Sequence, residues 1–191
     1  ALMIASDLTI AHQGLLWGHE ARNGLRDPLP QLVLMGDINS VDLPRRTYRG
    51  PILTTLARNT LELGRAYRAA DVTLIPSVTE NLPYAALESL ACQTPIAAFR
   101  VGGMPDIVTE DRGGLLAPPY EIPSLSACLS QLLTDQAFNQ RLARNGQHWV
   151  NQHCRMHDYL LRMKGVYQTA IRLHNAAVRT TRVAPSFQRA A

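Results

Sequence analysis

Short apolar runs alternate along this chain with longer segments whose apolar residues recur at helical spacing, and the alternation predicts strands and helices in turn. Leu2 to Ala5 predicts a first strand, Ser6 to Gln13 a loop, Gly14 to about Leu25 a helix, and Gln31 to Asp37 a second strand. A polar loop from Ile38 to Arg46 leads to a short third strand, Tyr48 to Ile52. The next helix is predicted over Leu53 to Ala69, with Leu56, Leu61, Leu63, Ala66 and Tyr67 on its apolar face. Val72 to Pro76 is short, β-branched and closed by a proline, the pattern of a strand buried on both faces. Ala85, Ala86, Leu87, Leu90 and Ala91 then mark an apolar helix that Gln93-Thr94-Pro95 stops, and Ile96 to Phe99 forms another strand. Gly102-Gly103 precedes a short helix, Pro105 to Val108, and Gly113 to Pro118 predicts the last strand. Behind Pro123, the residues Leu125, Cys128, Leu129, Leu132 and Leu133 form an amphipathic stripe. Ala137 to Val150 and Met156 to about Val178 predict two more helices, with RTTRVAPSFQRAA (179–191) a disordered basic tail. Such alternation implies right-handed crossovers and a parallel sheet, so the expected fold class is α/β: a doubly wound, Rossmann-like domain of about six strands with C-terminal helices.

Chemistry concentrates in the turn after Pro76. Ser77, Thr79 and Asn81 supply loop and cap groups, and Pro83 falls where a first helical turn accepts it, since an amide there has no intrahelical partner to lose. Glu80 lies in the loop and Glu88 about two turns into the helix. Unpaired amides at Asn81 to Tyr84, with the positive end of the helix dipole, attract an anion, while the nearby carboxylates accept hydrogen bonds from sugar hydroxyls. Phosphate plus polyol is the ligand that suits this set. Taken alone, the two glutamates also fit a solvated helix face and a loop acid.

The wider string ADVTLIPSVTENLPYAALESLACQTPIAAFRVGGMPDIV, from Ala70 to Val108, resembles the donor-binding segment of the retaining glycosyltransferases of family 4, the group 1 enzymes with a GT-B fold. There a strand ending in Pro-Ser leads into Glu-x7-Glu, and Leu-Glu-Ser-Leu-Ala-Cys-Gln-Thr-Pro-Ile and Val-Gly-Gly-Met-Pro-Asp-Ile-Val continue the match. The resemblance implies that residues 1–178 are the C-terminal, nucleotide-sugar-binding half of such an enzyme, without its N-terminal acceptor domain. It implies that Glu88 binds the donor ribose and that Glu80 contacts the transferred sugar. Asn81, Leu82, Pro83 and Tyr84 would face the sugar or diphosphate, with Gly102 and Gly103 lining the cleft. The implied partner is a nucleoside-diphosphate sugar, with no metal and no other cofactor; the chain has no Asp-x-Asp triplet.

One departure bears on mechanism. The family's loop after the first strand carries an arginine and a lysine that hold the donor diphosphate; Asp7 and Gln13 occupy those places here, followed by Gly14. Lys164 is the only lysine of the chain and lies in the last helix. A charged donor to phosphate is worth about 1.5–3 kcal/mol against about 0.5–1.5 for a neutral one, a difference of about tenfold in binding. His12, Arg22 and Arg26 are the candidates to replace the missing charge. In place of the family's glycine near position 38 stands Ile38, which implies another turn or a shifted register.

Composition narrows the rest. A chain of 191 residues suits one domain with one core. Cys92, Cys128 and Cys154 are odd in number and widely spaced within predicted helices, which argues against a disulfide framework or zinc site and for a reducing compartment. His148, His153 and Cys154 lack a paired metal-ligand spacing. Neither a membrane span nor a signal peptide is expected, and the start inside an apolar strand predicts a chain cut at a domain boundary. Residues 155–191 hold six arginines and one lysine against Asp158, a net of +6, whereas residues 1–154 carry a net of −2. The basic end suits an anionic membrane surface or a lipid-linked phosphate acceptor, and equally a solvated helix face with a soluble tail. Nucleic acid is disfavoured, because no recognition motif or aromatic interleaving accompanies the arginines. The expected location is the cytoplasm, with peripheral attachment to the inner face of the membrane as the alternative. Three readings stand: an active transferase half, a non-catalytic or regulatory partner with a degenerate phosphate clamp, and a nucleotide-sugar epimerase of GT-B fold.

Overall fold

Strands that are apolar on both faces need a helical layer on each side. In a computed structural model, which describes residues 2–6, 14–35, 49–55 and 57–181, the strands are β1 (Leu2–Ser6), β2 (Gln31–Met35), β3 (Ile52–Thr55), β4 (Val72–Ile75), β5 (Ile96–Phe99) and β6 (Gly114–Ala117). They form one parallel sheet in the order β3-β2-β1-β4-β5-β6. The helices are α1 (Leu15–Asn23), α2 (Thr60–Ala69), α3 (Tyr84–Ala91), α4 (Met104–Ile107), α5 (Ile122–Thr134), α6 (Gln136–His153) and α7 (Met156–Thr181).

Successive strand residues point to opposite faces, and the core divides accordingly. Leu32, Leu34, Val72, Leu74, Ala97 and Phe99 pack with Ala21 of α1 and with Leu125, Leu129 and Leu132 of α5. Ile75, Ile96 and Ala98 pack with Ala86 and Leu90 of α3 and with Met104 and Ile107 of α4, while Val33 and Met35 pack with Tyr67 of α2. The expected doubly wound α/β architecture is therefore present, and each buried leucine of the α5 stripe adds about 2 kcal/mol by leaving water. The contacts divide the chain into two units, Ala1–Asn151 and Gln152–Ala191. In the second, α7 is a single helix on which Tyr159, Leu160, Val166, Tyr167 and Leu173 are exposed.

Several boundaries differ from the sequence expectation, among them α6, which runs past the expected Ala137 to Val150 at both ends. The third strand is not Tyr48 to Ile52 but Ile52–Thr55, and the helix expected from Leu53 starts at Thr60. The side chain of Asn59 caps α2 by accepting from the Glu62 amide at 2.9 Å, and the Glu62 carboxylate accepts from the Arg58 amide at 2.8 Å. This reciprocal arrangement fixes the helix start. Leu61, expected on the apolar face, is exposed. Pro83 is the N-cap of α3 rather than part of its first turn. α7 continues to Thr181, so residues 179–181, expected in the tail, are helical; residues 182–191 lie outside the described residues. Cys154 falls between α6 and α7 rather than within a helix, and burial raises the pKa of all three free thiols.

Candidate functional site

The strand order reverses between β1 and β4. From β1 the chain moves outward through β2 and β3; from β4 it moves the other way through β5 and β6. α1 and α3 therefore leave adjacent strand ends for opposite faces, and the crevice between them is where parallel α/β sheets take ligands. Gly14 is the N-cap of α1, with φ 73°, and a Cβ there would overlap the Pro76 carbonyl at the end of β4. After β5, Gly102 takes φ 49°, and a Cβ on it would overlap the Glu80 carbonyl oxygen. Gly103 leaves no more room: its amide donates to the Asn81 carbonyl at 3.0 Å, and a Cβ would strike that same oxygen. Three loops thus meet backbone to backbone. The missing side chains of Gly102 and Gly103, expected to admit a ligand, first of all admit the Glu80-Asn81 main chain.

Donors and acceptors follow from this packing. Neither Gly14 nor Pro83 supplies a side-chain cap, so α1 and α3 begin with uncapped amides. Among the described residues no acceptor takes the amides of Asn81, Leu82 and Tyr84. Pro83 has no N–H, so the expected run of four donors is three. Glu80 is half-buried, and Asn81, Leu82 and Tyr84 are exposed. Glu88, on the second turn of α3, is exposed, and its Oε2 accepts from the hydroxyl of the buried Tyr67 at 3.3 Å. No hydrogen bond joins it to Glu80 among the described residues. An anion at the uncapped amides and hydroxyls against the two carboxylates is the chemistry the arrangement supports.

The expected replacements for the phosphate-holding charges fare differently. Asp7, His12 and Gln13 lie outside the described residues, as does Ile38. Arg22 is not at the crevice. It sits in the last turn of α1, fully buried, with Nε and Nη2 donating to the Pro30 carbonyl at 3.0 and 2.8 Å. Nη2 also reaches the Pro51 carbonyl at 3.1 Å, and Nη1 donates to the Arg49 carbonyl. Pro30 and Pro51 immediately precede β2 and β3, so this guanidinium binds the amino ends of two strands, opposite the crevice. Burial, and secondarily the charge of Arg49, lower its pKa from the ordinary arginine value. Arg26, exposed on the same connection between α1 and β2, is likewise at the wrong end. Tyr67 was not singled out as a site residue by sequence reasoning; the available signal was that a tyrosine on a buried helix face needs a partner for its hydroxyl.

The model of the family "Glycosyl transferases group 1" matches residues 52–149, just over half of the chain. The chain belongs to the group 1 glycosyl transferases. This group 1 domain is 31% identical over 131 residues to the D-inositol 3-phosphate glycosyltransferase of Thermobifida fusca, covering 69% of this chain and 28% of that protein. It is 33% identical over 119 residues to the enzyme of that name from Mycobacteroides abscessus, covering 62% of this chain and 25% of the relative. In fold it is similar to sucrose-phosphate synthase of Thermosynechococcus elongatus, with TM-score 0.75 and 24% identity, covering 90% of this chain and 46% of that one. HepE of Anabaena, in complex with UDP and glucose, superposes with TM-score 0.78 at 17% identity, covering 88% and 48%. The chain thus spans about a quarter of the length of these curated relatives and about half of the solved chains.

Proposed function

We propose that this chain is the donor-binding half of a retaining, family 4 glycosyltransferase that moves a hexosyl group from a nucleoside-diphosphate sugar to an acceptor hydroxyl of a polysaccharide or glycolipid. The observation that carries the reading is the meeting of Gly14, the Glu80-Asn81 main chain and Gly102-Gly103 at the carboxyl ends of the sheet, beside amides at Asn81, Leu82 and Tyr84 that no acceptor among the described residues takes. In this reading the amides face the diphosphate or the sugar, Glu80 is the catalytic carboxylate against the transferred sugar, and Glu88 accepts from the donor ribose. Gln13 and Gly14 border the diphosphate. The donor is the only small molecule required. HepE of Anabaena, whose structures hold UDP and UDP-glucose, shares this fold and supports a nucleotide sugar as the partner.

The acceptor domain is a separate half in this reading, and the chain alone transfers no sugar. No helix among the described residues is long and apolar enough to cross a membrane. The reading places the enzyme in the cytoplasm, with the basic C-terminal segment against an anionic membrane face or a lipid-linked phosphate. Calorimetric titration of the chain with UDP, GDP, ADP and their hexose conjugates tests the assignment. One nucleotide binds saturably, and Glu88→Ala weakens it at least about tenfold with the melting temperature held. Unchanged affinity in Glu88→Ala removes the ribose assignment.

A second reading, a non-catalytic partner that keeps the fold, has its own support. The Arg22 guanidinium is held by carbonyls at the far end of the sheet and is not free to replace the missing clamp. Absence of binding by any nucleotide, from a chain with a cooperative melt, decides for this second reading. Membership of the group 1 family gives the epimerase reading no support.

A further inference from the structure

We propose that Tyr67 is a positioning residue for the donor ribose: its hydroxyl holds the Glu88 carboxylate in the orientation that accepts from the ribose hydroxyls. The proposal rests on the assignment of Glu88 above.

Glu88 is exposed on α3, and an exposed glutamate samples many rotamers, which binding must restrict. Tyr67 is the reverse case. Its ring is buried on α2 against Val33 and Met35, and only its hydroxyl end meets Glu88, at 3.3 Å. That distance is long for a hydroxyl on a carboxylate. It leaves the other carboxylate oxygen, Oε1, for a ligand.

The frame around Tyr67 is locked by buried polar groups. Thr94 Oγ1 donates to the Tyr67 carbonyl at 2.6 Å, and Ser89 Oγ, one residue beyond Glu88, donates to the Thr94 carbonyl at 2.8 Å. Ser89 Oγ also lies 2.7 Å from Thr73 Oγ1 on β4, and Thr73, Ser89 and Thr94 are all buried. The end of α2, the second turn of α3 and the strand leading to the crevice are therefore tied together by buried hydrogen bonds. Rigid support under an exposed carboxylate is the arrangement that pre-orders a binding group before its ligand arrives.

Removing the hydroxyl separates this role from simple packing, because Tyr67→Phe keeps the ring in place. The full chain is titrated with whichever of UDP, GDP and ADP it binds and with the 2′-deoxy and 3′-deoxy forms of that nucleotide. Tyr67→Phe weakens the ribonucleotide about fivefold, leaves the deoxy form that already lacks the Glu88 contact unchanged, and adds nothing in a Glu88→Gln background. A merely structural tyrosine weakens ribo- and deoxynucleotides in parallel, and that result overturns the proposal while Glu88 keeps its assignment. If Glu88→Gln itself leaves the preference for ribose intact, the Glu88 assignment fails and takes this proposal with it. A wild-type chain that holds none of the nucleotides overturns both.

Discussion

The two ends of the sheet treat their polar groups in opposite ways. At the amino ends of β2 and β3, the Arg22 guanidinium consumes the carbonyls of Pro30, Pro51 and Arg49, and a buried cation is fully enclosed by its own chain. At the carboxyl ends, two glycine-bearing loops crowd against the 76–83 loop, and among the described residues no acceptor takes the amides of Asn81, Leu82 and Tyr84. The first end is closed and needs nothing from outside. The second is tight in its main chain, and its amides on exposed residues, with no acceptor among the described residues, are open to water or to a ligand.

Substitutions can break this contrast. The largest effect is expected for Arg22→Met, which takes the guanidinium from the Pro30, Arg49 and Pro51 carbonyls, Pro51 keeping the Leu32 amide, and costs about 4 kcal/mol of unfolding free energy in urea titration. Molecules that remain folded keep their nucleotide affinity; if they lose it, the two ends are coupled and the contrast fails. Gly102→Ala forces a Cβ into the Glu80 carbonyl at a left-handed backbone position, so it costs about 3 kcal/mol and also abolishes nucleotide binding. Retained binding would show that the Glu80-Asn81 main chain does not shape the site. The smallest change sharpens the picture within the carboxyl end. α2 also begins there, but with its start satisfied by Asn59 and Glu62. Asn59→Ala is expected to cost about 1 kcal/mol in thermal melts and to leave nucleotide affinity untouched.

What could be read from the chain followed from how local the determinants were. The segment from β4 through α3 to β5 was legible because proline and glutamine-threonine-proline punctuation brackets strongly patterned runs. The β3 and α2 boundary was misread although its signals were present. Ile52 to Thr55 contains β-branched residues, and Asn59-x-x-Glu62 is a helix start, but the leucines on either side gave a helical period that ran across both. Arg22 was not legible. The sequence offered it as a replacement for the missing phosphate-holding charge, and only the arrival of Pro30 and Pro51 beside it creates the carbonyl cage. At the candidate site, Glu80, Glu88 and the two glycines were proposed from spacing and resemblance, whereas the residues they meet were not. Gly102 meets Glu80 and Tyr67 meets Glu88 only once crossovers have brought separate strands side by side.

The position of β1 has a consequence for how such a chain comes off a ribosome. β1 pairs with β2 on one side and β4 on the other, Met3 lying opposite Val72, the longest-range pairing in the sheet. At about 5–20 residues per second, an interval of roughly 3–15 seconds separates synthesis of the two strands. Until β4 is made, the edge of β1 that it covers in the folded sheet has no partner strand, and an open strand edge is a template for pairing with another chain. The reversal of strand order that creates the crevice is thus also the place where the sheet depends on its longest-range pairing.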